Sequence, residues 1–177
     1  MPLSRLIEDC KHNDRKAQRK LYEQFAPSML SLCMRYLGER ETARDALQEG
    51  FVKVFSKIDS YGASGSFEGW IRRIFVNTAL EILRKQKREI DITFTETITD
   101  ADNLAFYENT MFEGLSADDL MQMIAELPPA YRTVFNLRTI EGYEYNEIAQ
   151  QLDVTETTLR SQFMRARQML KEKVLYN

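Results

Sequence analysis

Tyr145-Asn146-Glu147-Ile148-Ala149-Gln150-Gln151-Leu152-Asp153-Val154-Thr155-Glu156-Thr157-Thr158-Leu159-Arg160-Ser161-Gln162-Phe163 is the stretch whose reading decides the fold. Ile148, Ala149 and Leu152 put one apolar stripe on a short helix. Ala149 is small where two helices must cross closely. Asp153-Val154 supplies a tight turn with Val154 directed inward, and Thr155 is a good N-cap because its hydroxyl can accept a first-turn N–H. Leu159, Phe163, Ala166 and Leu170 continue as the buried stripe of a second helix. This is the helix-turn-helix pattern, whose second helix enters the major groove of DNA.

The same periodicity assigns the outward side. Beyond the Thr155 cap, Glu156, Thr157, Arg160, Ser161 and Met164 face away from the core, followed by Arg165, Arg167, Lys171 and Lys173. Arginine and hydroxyl side chains read base edges or bind phosphate. A solvated basic helix in a bundle is the plainer alternative. The cap, the small alanine, the turn and the basic face together favour DNA.

Upstream of this motif the pattern is again helical. Ser116 with Asp119 three residues on marks a helix start. Leu120, Met123, Ile124 and Leu127 form its inner face, ended by Pro128-Pro129. The next helix opens at Pro129 or Ala130, buries Val134, Phe135 and Leu137, and closes near Gly142. Residues 89–115 differ: they are acidic, Thr-rich and weakly periodic. Residues 90–95 alternate like a strand, but no partner segment lies near, so the stretch reads as a linker or extended arm.

The first part of the chain is amphipathic throughout. Leu21, Tyr22, Phe25, Met29, Leu32, Cys33 and Tyr36 recur at helical spacing, with a break or a fresh first turn expected at Pro27 and a stop at Gly38. A helix over roughly 41–58 buries Ala43, Leu47, Phe51, Val54, Phe55 and Ile58, and shows Asp45, Gln48, Glu49 and Lys53 on its other side. The Gly/Ser-rich run from Asp59 to Ser66 is a turn-rich loop. A helix over roughly 67–87 follows. Its apolar face is Phe67, Trp70, Ile71, Ile74, Phe75, Leu80 and Leu83; its polar side carries Arg72, Arg73, Asn77, Arg84, Lys85 and Arg88. Phe67 and Trp70 read as core before they read as base-stacking residues. The fold class expected is all-α: two small helical domains, residues 1–88 and 116–177, joined by an acidic linker over 89–115.

Composition narrows the function. Net charge is −3, yet residues 89–131 hold ten acids and no Lys or Arg, so removing that segment leaves +7 for the remainder. Basic ends can drive phosphate binding whatever the total charge. Cys10 and Cys33 are too few and too isolated for a disulfide framework or a zinc site, which fits a reducing cytoplasm. The single histidine, His12, lies in a polar stretch and reads as a surface residue. No Ser/His/Asp or Cys/His set, phosphate loop or dinucleotide turn can be built, so an enzyme is disfavoured and no metal or cofactor is implied. No apolar run approaches the length of a membrane helix, and no signal-peptide pattern opens the chain.

The motifs resemble one family, the extracytoplasmic-function sigma factors of the sigma-seventy class. Residues 141–149 with Thr158-Leu159-Arg160-Ser161 and Arg165-Ala166-Arg167 look like its C-terminal domain, which reads the −35 element. Asp45-Ala46-Leu47-Gln48-Glu49-Gly50-Phe51-Val52-Lys53-Val54 looks like its polymerase-binding helix. Phe67-Glu68-Gly69-Trp70-Ile71-Arg72-Arg73-Ile74 with Asn77 and Arg84 looks like its promoter-melting helix. The match covers nearly the whole chain in the family's order.

The resemblance implies a transcription initiation factor with core RNA polymerase and promoter DNA as partners, and an anti-sigma factor besides. It places polymerase contact at Asp45, Gln48, Glu49 and Lys53. It places −10 contact at Tyr61, Ser64, Ser66, Arg72, Arg73, Asn77, Arg84 and Arg88. Contact with the −35 element falls to Thr155, Glu156, Thr157, Arg160, Ser161, Met164, Arg165 and Arg167. The linker, by the same resemblance, runs toward the RNA exit path. Four positions depart from the family's habit: Thr157 stands where Gly is common, Gln162 where Arg is, Glu81 for Asp, and Asp153 at a turn position usually held by Gly. A left-handed Asp153 would carry some strain. Two other readings stay open at this point: a free-standing helix-turn-helix regulator, and a purely helical protein-interaction module.

Overall fold

The computed structural model describes residues 1–86 and 114–176. Every regular element among them is helical: α1 (Leu3–Lys11), α2 (Arg15–Leu37), α3 (Arg40–Lys57) and α4 (Phe67–Lys85), then α5 (Ala117–Ala125), α6 (Pro129–Phe135), α7 (Tyr145–Leu152) and α8 (Glu156–Tyr176). The chain divides into two compact units, Met1–Lys87 and Arg88–Asn177. The expected strand-like alternation at 90–95, the proposed linker role of the acidic stretch, and Arg88 lie outside the described residues.

In the first unit α2 is the central helix, packed on α1, α3 and α4, while α3 also packs on α4. Asp14 caps α2 by accepting from the N–H groups of Lys16 and Ala17 at 2.7 and 3.1 Å, which holds its carboxyl below the usual range. Gly38 ends the helix with φ 73°, the left-handed conformation that a residue without Cβ adopts cheaply. The expected break at Pro27 is not there: α2 runs straight through it. Pro27 is exposed, and Leu21, Phe25 and Met29 around it are buried. Their burial outweighs the one backbone bond that proline cannot donate. The helix α1 lies ahead of the first element expected from the pattern, and buries Leu6, Ile7 and Cys10.

The α3–α4 crossing depends on Gly50. A Cβ built there would lie 2.3, 2.6 and 2.7 Å from Phe75 ring atoms, so the bare backbone lets the fully buried ring sit against α3. Phe51 meets the same ring edge-on at 5.2 Å. Cys10 and Cys33 are buried free thiols, pushed up to about 11 and about 12 chiefly by burial, and so are chemically quiet.

In the second unit α8 is the long spine, contacted by α5, α6 and α7. Met123, Ile124, Leu127, Phe135, Ala166 and Leu170 form its core. Ser116 caps α5 as expected, accepting from the Asp119 N–H at 3.1 Å. The helix after Pro128 does not run regularly to Gly142: α6 ends at Phe135 and widens into a π-helical turn over Asn136–Ile140. The buried stripe of α8 is Leu159, Gln162, Ala166 and Leu170, with Phe163 only half-buried beside it. Gln162, one of the positions that depart from the resemblance, is fully buried.

Candidate nucleic-acid interface

The helix-turn-helix is built by α7, its turn and α8. Glu147 accepts from the Glu144 N–H at 2.8 Å at the start of α7, one half of a capping box. Ile148 and Leu152 are buried; Ala149 and Val154 are half-buried. Asp153 takes the left-handed conformation at φ 54°, ψ 48°, and the Val154 N–H reaches the Ala149 carbonyl at 3.2 Å. Aspartate tolerates this region better than most residues with a Cβ, but not as freely as glycine. Thr155 accepts from the Thr158 N–H at 3.2 Å, so α8 starts on its expected cap.

On α8, Thr155, Glu156, Thr157 and Arg160 are exposed, while Ser161, Met164, Arg165 and Arg167 are half-buried. The eight residues therefore divide into an open N-terminal group and a partly covered group behind it. The Arg160 guanidinium lies 3.6 Å from Glu156 and 4.4 Å above the ring of Tyr145. Arg138, from the π-helical turn, lies over the same ring at 5.0 Å, and also reaches the Tyr143 carbonyl and Glu144. Burial pushes the Tyr145 phenol above its usual range, against the opposing pull of Arg138 and Arg160. Neither Tyr145 nor Arg138 was singled out from the sequence. The available signal was an aromatic at the first position of α7, between two arginines distant in the chain.

On α4, Arg73, Asn77 and Arg84 are exposed at spacings of four and seven, and so share one face; Arg72 is half-buried. The loop before α4 is held by its own chemistry. The Tyr61 hydroxyl donates to the Gly65 carbonyl at 2.8 Å, and Ser66 caps α4 by accepting from the Gly69 N–H at 3.0 Å. Ala63 and Gly65 have φ of 56° and 112°, so the loop is sharply curved. Ser64 is exposed. The Tyr61 ring contacts Phe67 at 5.1 Å and Trp70 at 5.5 Å. Phe67 is buried, as its reading as core requires, while Trp70 is half-buried and keeps part of its ring open. A partly open aromatic beside cations is a combination suited to single-stranded DNA.

On α3, Asp45 and Gln48 are exposed, but Glu49 and Lys53 are half-buried, and Lys53 turns toward α4. Lys53 reaches Glu49 at 2.9 Å, Glu81 at 2.6 Å and the Thr78 hydroxyl at 3.3 Å. Burial works against the Lys53 charge, but the hydrogen bonds to Glu81 and Glu49 outweigh it and raise its pKa; the same bond lowers Glu81. Lys53 thus ties two helices of its own unit together, and Glu81 is its partner. Val52 is left 69 % exposed, on the side of α3 that carries Asp45 and Gln48.

Comparison with known proteins fits both units. Sigma-70 region 2 matches residues 21–89, and Sigma-70, region 4 matches residues 117–170. The chain is similar to the ECF RNA polymerase sigma-E factor of Haemophilus influenzae, at 30 % identity over 96 % of this chain and 93 % of the relative. It is similar to the ECF RNA polymerase sigma factor SigW of Bacillus subtilis, at 26 % identity over 98 % and 97 %. Among solved structures, the sigma factor RpoE in complex with the anti-sigma factor NepR from Bartonella quintana shares the fold. Its TM-score is 0.53 at 21 % identity, over 89 % of this chain and 96 % of that one.

Proposed function

The chain belongs to the extracytoplasmic-function sigma factors of the sigma-seventy class, and from that membership we propose how its residues divide the work of an alternative sigma factor. The chain directs RNA polymerase to specific promoters in transcription initiation, and bond-making stays with the polymerase. The observation that carries this is order: region 2 on the first unit and region 4 on the second, each on the helices that present the basic faces described above.

The first unit takes the polymerase and the −10 element. Asp45 and Gln48 form the open part of the polymerase-binding face, with Val52 as its apolar member. Glu49 and Lys53 contribute from within, by fixing α3 against α4. Arg73, Asn77 and Arg84 face the −10 strand, Trp70 and Tyr61 supply the stacking surface, and Ser64 lies on the exposed rim of the loop. Ser66 acts there through the cap it makes. The second unit takes the −35 element through Thr155, Glu156, Thr157 and Arg160, with Ser161, Met164, Arg165 and Arg167 behind them. Residues 1–88 and 116–177 are proposed as these two functional domains, and the acidic stretch between them as the connection. A protein of this work belongs beside the polymerase in the cytoplasm; no helix among the described residues is long and apolar enough to cross a membrane. The RpoE complex with NepR supports an anti-sigma factor as a further partner.

The test is reconstituted transcription with the purified chain, core polymerase and a promoter library. Initiation at a defined subset of promoters, dependent on this chain, is the expected result. Tight binding to duplex DNA without polymerase, and no promoter-directed initiation, would overturn it in favour of a free-standing regulator.

A further inference from the structure

We propose that Tyr145 is a positioning residue for promoter reading: its ring holds the Arg160 guanidinium ready for DNA without using up the donors that Arg160 needs there. The proposal rests on the assignment of α8 to the −35 element.

Arg160 is an exposed side chain, and a long exposed arginine loses much rotamer freedom when it docks. Two neighbours restrain it. Glu156 at 3.6 Å is a one-turn surface pair, which holds weakly and engages the N–H edge of the guanidinium. That edge is what a guanine or a phosphate must take in a bidentate contact. Tyr145 restrains the group without an acceptor oxygen: its ring centroid lies 4.4 Å from the guanidinium carbon, a cation–π contact that holds the charge and offers the N–H groups no carboxylate or carbonyl to pair with. A carboxylate competes with DNA for Arg160; a ring does not.

The ring is itself held. Tyr145 is half-buried at the first position of α7, edge-on to Phe163 at 6.2 Å and 79°. Phe163 in turn stacks on Phe135 at 5.9 Å, and Phe135 belongs to the core of the unit. An aromatic ladder therefore runs from the core to the reading side chain. Arg138 over the same ring, tied to the Tyr143 carbonyl and Glu144, adds a second cation that fixes the ring's surroundings.

The test uses the full chain with core polymerase, in competition on promoters varied through the −35 element at fixed salt. Four variants are compared: Arg160→Ala, Tyr145→Phe, Tyr145→Leu, and the Tyr145→Leu/Arg160→Ala double. Phe keeps the ring face and loses only the hydroxyl, so Tyr145→Phe should stay within about twofold of the parent. Tyr145→Leu should weaken binding by about 3- to 10-fold, at the same −35 positions that Arg160→Ala relaxes. The double variant should lose no more than Arg160→Ala alone. If Tyr145→Leu loses helicity, Tyr145→Met repeats the measurement with an unbranched side chain. Loss with Phe equal to loss with Leu would overturn the proposal in favour of a direct hydroxyl contact to DNA. A uniform loss that adds to that of Arg160→Ala would overturn it in favour of a purely structural role. If Arg160→Ala leaves −35 discrimination intact, the assignment of α8 fails first, and the positioning role with it.

Discussion

Gly50→Ala tests the crossing on which the first unit is built. Alanine is the better helix former by about 1 kcal/mol at an interior position, so at an open site this change stabilises. Here the added methyl would stand 2.3 Å from one Phe75 ring carbon and under 3 Å from two more, where ordinary carbon contacts begin near 3.5 Å. The ring has to retreat by about 1 Å or more. Phe75 is fully buried with Phe51 against it, so it has no free space to retreat into. Overpacking of this kind costs about 1–3 kcal/mol. With the helix-propensity gain set against a cost near the top of that range, the net loss is about 1–2 kcal/mol.

Trp70 is the only tryptophan in the chain and lies in the first unit, so its fluorescence during urea unfolding reports that unit alone. The midpoint should fall with little change in slope. Pairing Gly50→Ala with Phe75→Leu should recover part of the loss, giving a favourable coupling of about 1 kcal/mol. A Gly50→Ala midpoint above that of the parent would refute the reasoning: Phe75 would then not be seated on α3, and the α3–α4 packing would have to be redrawn.

Three further outcomes follow from the faces. Asp45→Lys, at an exposed position with no fold contact to break, should abolish co-purification with core polymerase at unchanged helicity; retained binding would remove α3 from the interface. Asn77→Ala should reduce open-complex formation, read by permanganate reactivity of the bubble, more than it reduces polymerase binding, and an unchanged footprint would exclude it from melting. In α8, Leu159→Ala should cost about 2–5 kcal/mol of the second unit's stability, while Arg160→Ala should leave folding nearly intact and cost about 1–3 kcal/mol of binding, concentrated at one −35 position if it reads a base; the reverse pattern in thermal unfolding would show that the helix has been phased wrongly.

Much of the fold was legible because its determinants are local. Gly38, Ser116 and Thr155 act within one helical turn, and each works at the end of an element where the sequence places it; Asp14 and Ser66 cap their helices by the same local chemistry, although the pattern does not mark them as caps. Pro27 was misjudged because the rule that proline breaks helices weighs one missing backbone bond. It cannot weigh the burial of Leu21, Phe25 and Met29 on the opposite side. The helix α1 has only Leu6, Ile7 and Cys10 as buried anchors over nine residues, too short a period to stand out. Gln162 was passed over for Phe163 by chemical type. Phase alone does not separate the two, since Gln162 lies three residues after Leu159 and four before Ala166 while Phe163 lies four after and three before; the structure buries Gln162 and leaves Phe163 half-buried.

The site was less legible than the fold, and for one physical reason: its decisive contacts join residues far apart in the chain through long side chains. Lys53 belongs by position to the outward half of α3, yet four methylenes let it fold back to Glu81, twenty-eight residues later. It thereby becomes a strut between the helix proposed to hold polymerase and the helix proposed to melt DNA. Arg160 belongs by phase to the open side of α8, and it is there, but the Tyr145 ring fifteen residues earlier sets where its guanidinium lies. Periodicity reports the direction of a Cβ and nothing beyond it. For Leu159 or Phe75 the Cβ direction is almost the whole answer, because a short apolar side chain goes where its Cβ points. For lysine and arginine the charge sits several bonds further out, where partners from other helices choose its place. The residues that meet DNA and polymerase are drawn largely from the second class, so a face could be read from the sequence while the groups that order it could not.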